Sequence, residues 1–326
     1  MATPAFIREH REFLDASPFD GLAVYLRTPD HRLNVTATVL SATAVSYGEV
    51  VDVLDPLKGV DLKYLTQNFA AVVGGAPPDF MEDWSIPVRN FANLARAARE
   101  VGFKGIYVDN ETYEAPWGDY PDGVLHRGRS LREYQDQARR RGRQTMEAMV
   151  AEFPDISVIL LHGPYISEPG APSPLFPRWQ SKNELLGPFF AGFVEGAGPG
   201  ATVVDGGELY HLRTGEQFRR SYEWRKRAMP SPELDCAFLP AAIRVEWSHR
   251  VTLGFGVYDR PFQGAPMNPE VLAATLAGAL RRTDRYVWLY VEGPTFLSPP
   301  GEGGASADWV EAVRRGRREA RGGNSN

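Results

Sequence analysis

The residues of this chain best placed to do chemistry are Asp109 and Glu111, which close the stretch Gly102-Phe103-Lys104-Gly105-Ile106-Tyr107-Val108-Asp109-Asn110-Glu111. The apolar part reads as a short buried β-strand. Side chains alternate between strand faces, so Tyr107, Asp109 and Glu111 share one face and Ile106 and Val108 the other. The two carboxylates stand about 7 Å apart along the strand. Like charges that close repel, and one pKa usually rises. Such a pair does nothing for folding, whereas a protonated and an ionised carboxyl side by side suit acid/base work on a sugar.

Further polar and aromatic residues close other apolar stretches. In 286–292, Val287, Leu289 and Val291 form one face and leave Trp288, Tyr290 and Glu292 on the other. In 251–259 the same alternation turns Tyr258 inward and leaves Asp259 at the end. The stretch 201–208 ends Asp205-Gly206-Gly207-Glu208, where the glycines blur the parity and either acid could reach a site. Asn68, His162, Tyr25 and Arg27 complete a polar and aromatic mouth. Aromatic faces stack on sugar rings and carboxylates accept their hydroxyls.

The expected catalytic residues are Glu111 as acid/base, its neighbour Asp109, and Glu292 as second carboxylate, with Asp109, Glu208 and Asp259 as rivals for that place. Tyr107, Asn68, His162, Glu208, Tyr258, Asp259, Trp288 and Tyr290 are expected to line the substrate site. Each has a plainer role available. A strand-end carboxylate such as Asp259 commonly caps a helix or pairs with arginine, Trp288 and Tyr290 could simply pack in a core, and His162 could be a structural histidine. Glu111 is hardest to excuse structurally.

A parallel βα pattern must position these residues. Strands are expected at 21–28, 65–74, 104–111, 157–163, 201–208, 251–259 and 286–292, with amphipathic helices between them. Ser130-Leu131-Arg132-Glu133 and Ser181-Lys182-Asn183-Glu184 have the capping-box form. Asn268-Pro269 and Thr3-Pro4 place a cap before a proline, the second opening a helix over 4–16. Val88, Phe91, Leu94, Ala95, Ala98 and Val101 make one helical stripe, and Leu272, Thr275, Leu276, Ala279 and Leu280 another. Seven strands at this spacing predict an α/β fold of the TIM type, a (β/α)8 barrel with the first strand missing or irregular. Segments 35–45 and 237–245 are candidates for the eighth. An open doubly wound sheet would want a glycine-rich phosphate loop after its first strand, and none follows.

The Phe103–Glu111 stretch resembles the signature strand of family 18 glycoside hydrolases, the chitinase group, whose pattern is Asp-Gly-hydrophobic-Asp-hydrophobic-Asp-x-Glu. Here the residues are Lys104-Gly105-Ile106-Tyr107-Val108-Asp109-Asn110-Glu111. The final Asp-x-Glu matches, while Lys104 and Tyr107 stand where the family has aspartates. The resemblance implies that Glu111 protonates the glycosidic oxygen, and Trp288 is similar to the inward tryptophan of the family's last strand. It does not carry over the full aspartate set, so chitin is not implied. Asn110-Glu111 also resembles the Asn-Glu pair of the large retaining clan of β-glycosidases, but Asp259 stands where that clan's second glutamate would be.

Composition narrows the alternatives. The chain has 326 residues, 43% hydrophobic, with a net charge of −5. That is ample for a large core, expected here as one domain over 1–326 with 321–326 a disordered tail. No basic stripe is interleaved with aromatics, which argues against nucleic acid. The lone Cys236 excludes an internal disulfide, and no apolar run has the length of a membrane span. As given, the chain reads as cytoplasmic, or as secreted if a leader precedes it, and its oligomeric state is left open. The expected partner is a carbohydrate, with no cofactor and no metal. The rival readings are a metal-dependent sugar isomerase or epimerase, ligated by Glu208, His211, Glu292 and Asp259, and a carbohydrate-binding barrel without catalysis.

Overall fold

The computed structural model describes residues 2–111, 116–167, 183–234, 239–293 and 295–322. Each expected apolar stretch holds a strand, shorter than its apolar run. They are β1 (Ala23–Tyr25), β2 (Phe69–Val72), β3 (Gly105–Val108), β4 (Ser157–Leu160), β5 (Thr202–Asp205), β6 (Val251–Leu253), β7 (Phe255–Tyr258) and β8 (Val287–Tyr290). β1 to β6 form one sheet in chain order, and every pairing is parallel. β7 and β8 form a separate parallel pair. A ninth strand, β9 (Thr295–Pro300), was not expected from the sequence. The class is therefore mixed α/β with a parallel six-stranded sheet.

The stretch expected as one strand over 251–259 is two, interrupted at Gly254, and the first half pairs with β5 and the second with β8. Neither candidate for an additional strand is one. Segment 35–45 begins with a helical turn, Val35–Thr38, whose Ala37 N–H donates to the Asn34 side chain at 3.2 Å. Residues 237 and 238 lie outside the described residues, and the chain beyond them enters the helix Ala241–Arg250. Among the described residues no backbone ladder joins β8 to β1.

The alternation read from the sequence governs the packing. Ile106 and Val108 enter the large apolar body that the helices cover. On the other face a smaller cluster gathers Phe69, Ile159 and Val204, with Tyr107 and Tyr286 against them. Ala71, Tyr107, Ile159 and Val204 are successive Cα partners across β2 to β5. The Tyr286 ring meets Phe69 edge-on at 5.4 Å, and Trp288 meets Tyr107 at 5.7 Å. The sheet thus curls until the β8 region touches β2 and β3 across the inner face.

The helix signals are mostly realised. Ser130 forms the complete capping box with Glu133 at the start of Leu131–Glu152, and Asn268 caps Pro269–Leu280. Phe91, Leu94, Ala95 and Ala98 are buried on the helix Ser85–Glu100. The helix expected over 4–16 breaks at His10 into Pro4–Glu9 and Arg11–Asp15. Ser181 and Lys182 lie outside the described residues. The helix there runs Leu186–Gly196, and Glu184 accepts the Tyr120 N–H at 3.0 Å. At the C-terminus the helix Ala307–Gly322 carries Arg321. Cys236 and residues 323–326 fall outside the described residues. No described helix is long and apolar enough to cross a membrane.

Candidate active site

Three strand ends bring one carboxyl, one imidazole and a second carboxyl together. Glu111 follows β3, His162 follows β4 and Glu208 follows β5, and one potential ligand atom from each lies within 4.8 Å of the other two. Asp109 is buried beside them, and its carboxylate accepts the N–H of Glu111 at 3.1 Å, which fixes the turn at the strand end. Asn110 points to the other side, as alternation requires. Its amide oxygen accepts the His162 N–H at 2.8 Å and its Nδ2 donates to the His162 carbonyl at 2.9 Å. The residue between the two acids therefore locks the end of β3 to the end of β4.

Glycine geometry decides which acid of 205–208 reaches the site. Asp205 continues the strand outward and meets Arg225, and both side chains are fully buried. The Arg225 Nε donates to the Asp205 carboxylate at 2.9 Å, and its two Nη atoms donate to the Asp205 and Gly254 carbonyls at 2.8 and 3.1 Å. Arg225 lies on a π-helical turn, Trp224–Ala228. Gly207 has φ +62°, and a Cβ there would stand 2.6 Å from the guanidinium, so only glycine fits both the backbone and the space. This left-handed residue turns Glu208 back inward, where its N–H donates to the Leu161 carbonyl at 3.1 Å.

The electrostatics follow from burial. His162 is wholly enclosed, which pushes its imidazole down to about 3, so it is neutral at ordinary pH. Its Nδ1 lies 3.1 Å from the Tyr165 hydroxyl and its Nε2 3.5 Å from Glu208 Oε2. That second contact has ion-pair distance but no ion pair, because the ring carries no charge. Glu208 is pushed up to about 8, first by burial and then by the charges of Asp109 and Glu111. Tyr210, which the sequence reading missed, places its hydroxyl on the Glu208 carboxyl.

An aromatic wall stands beside this cluster. The rings of Tyr210, Tyr258 and Tyr290 lie within 5.1 to 5.9 Å of one another at interplanar angles of 15° to 34°. Phe262 and Trp288 meet Tyr210 edge-on. Trp288 Nε1 donates to the Gly206 carbonyl at 2.8 Å, tying β8 to the loop that carries Glu208. A Cβ on Gly256 would stand 2.5 Å from the Trp288 ring, so the indole lies directly against strand β7.

The remaining expected residues divide. Glu292 is exposed and joins the wall: its carboxylate accepts the Tyr258 and Tyr290 hydroxyls at 2.6 and 3.1 Å, and these bonds lower its pKa. No described contact ties it to Glu111, Glu208 or His162. Asp259 accepts the backbone N–H groups of Glu292 and Gly293 at 3.2 and 3.3 Å, so it holds the loop after β8, where a helix cap or an arginine partner was expected. Asn68 precedes β2 and so lies at the opposite end of the sheet. There its amide accepts the Leu22 N–H and donates to the Leu65 carbonyl. Of the metal ligands envisaged from sequence, only Glu208 belongs to the cluster that forms, and Glu111 and His162 stand where His211, Glu292 and Asp259 were expected.

Comparison with known proteins adds little to this geometry. No protein-family profile matches the chain, and no curated protein matches it. Among solved structures, a Streptomyces coelicolor protein assigned as a chitinase A aligns over 98% of this chain and 94% of its own, at 14% identity and a TM-score of 0.43.

Proposed function

We propose that this chain is a glycoside hydrolase built as one TIM-type barrel, in which Glu208 is the general acid and Glu111 the second carboxylate. The observation that carries the reading is the Glu111–Glu208 pair, whose carboxyl oxygens approach within 4.8 Å while the buried member holds its proton near neutral pH. Carboxyl groups that approach this closely favour a retaining mechanism, since inversion needs a wider gap to admit water between them. Glu208 then protonates the glycosidic oxygen while Glu111 attacks the anomeric carbon. After the leaving group departs, the Glu208 carboxylate takes a proton from the water that hydrolyses the intermediate. Burial and the charges of Asp109 and Glu111 raise Glu208, which therefore takes the acid role that the sequence assigned to Glu111. Tyr290, which is 41% exposed, together with Tyr258 and Trp288 offers the stacking surface for a sugar ring.

A screen of nitrophenyl glycosides and natural polysaccharides tests the reading. Glu111→Gln is expected to lose about 10²–10⁴-fold in kcat on every substrate, since a general acid cannot replace a missing nucleophile. Glu208→Gln is expected to lose comparably on polysaccharide but far less on dinitrophenyl glycosides, whose leaving group needs no proton. Full activity in both variants, or no turnover of any glycoside by the native chain, would refute it.

A further inference from the structure

We infer that Glu111, His162 and Glu208 form a binding site for one divalent transition-metal cation. The donors come from three consecutive strand ends and each offers one ligand atom within 4.8 Å of the others, so a single ion placed between them could reach all three. One imidazole nitrogen with two carboxylate oxygens is a mixed set of the kind zinc accepts, with an open position left for water or substrate.

Three features mark the site as built for a ligand. Glu208 Oε2 is enclosed and takes no hydrogen bond, although its side chain is only 10% exposed. It faces His162 Nε2 at 3.5 Å, and where Nδ1 of that ring donates to Tyr165, Nε2 turns its lone pair to the carboxylate. With Glu208 ionised, two acceptors face one another across this gap, and a cation can take the place that the Glu208 proton holds in the ion-free chain. The outer hydrogen bonds are those a metal site uses to orient its ligands: the Tyr165 hydroxyl holds the imidazole by its far nitrogen, and the Tyr210 hydroxyl holds the Glu208 carboxyl. Asp109, buried alongside, adds further negative charge that a cation would balance.

The cation site rests on the placement of these side chains and not on the hydrolase reading. Its consequence for hydrolysis does rest on that reading. With the ion bound, both carboxylates are ligands and neither is left to attack or protonate a glycoside, so zinc would silence turnover and a chelator would restore it.

Titration calorimetry of zinc into the full-length, chelator-stripped chain tests the inference without any glycoside present. One zinc per chain is expected, with affinity falling at least about tenfold in Glu208→Gln and in Glu111→Gln, two near-isosteric changes. Circular dichroism confirms that both variants are folded. Weak millimolar binding by the native chain, or equal affinity in both folded variants, would overturn the site, since zinc would then be held only by surface histidines. Calorimetry and glycoside turnover report separately, so loss of one reading leaves the other standing or falling on its own result.

Discussion

Glu208 and His162 sit 3.5 Å apart and pull the pH dependence of stability in opposite directions. A carboxyl raised from 4.5 to about 8 stabilises the fold fully below pH 4.5, and that contribution is lost as pH climbs to about 8. An imidazole lowered from 6.5 to about 3 does the reverse, contributing above pH 6.5 and losing its contribution as pH falls toward 3. Between pH 6.5 and 8 only the Glu208 slope remains of the two. Urea denaturation of the native chain is therefore expected to show stability falling across that window, and Glu208→Gln is expected to flatten it. An unchanged slope in the variant would show that Glu208 does not titrate there.

At the scale of elements, the loop 205–208 depends on the π-helical turn that delivers Arg225. A buried arginine with three acceptors fixes the carbonyl of Asp205 and the carbonyl of Gly254, and so joins β5 to the break between β6 and β7. Removing one partner of a buried pair leaves the other charged and unsolvated. Arg225→Met is expected to cost about 3–5 kcal/mol in urea denaturation, and adding Asp205→Asn is expected to recover part of it. Additive losses in the double variant would separate the two residues. Because Gly207 turns against this guanidinium, the same element that holds the strand also aims Glu208.

For the molecule as a whole, the contacts across the inner face matter most where the backbone pairing changes sheets. Trp288 spans from β8 to the Gly206 carbonyl and lies against Tyr107 and Tyr210. Trp288→Phe keeps an aromatic ring but loses the 2.8 Å hydrogen bond and leaves a buried carbonyl unpaired. A loss of about 1–3 kcal/mol is expected by calorimetry, with weaker binding of any oligosaccharide that the native chain retains. Wild-type stability in this variant would mean that the span contributes nothing to closing the sheet.

Much of this was legible in the residue order, for reasons that are local. Two-residue alternation placed Tyr107, Asp109 and Glu111 on the inner face with Trp288 and Tyr290, and it needed nothing beyond the pleat. Ser130 with Glu133, and Asn268 before Pro269, marked helix starts because a cap is made within three residues. What the sequence could not supply was the partner of Glu111. Glu292 and Glu208 both close apolar strands, and only the fold shows that two tyrosines take up the first while Gly206 and Gly207 swing the second beside Glu111. Nor did the position of Asn68 follow from its type, since strand direction decides which end of a sheet a residue occupies. The pleat and the caps are set by neighbours in the chain, so sequence alone determined them. The pairing of Glu111, His162 and Glu208 joins residues 51 and 97 positions beyond the first, and that is decided by three-dimensional packing, through a buried arginine and a left-handed glycine.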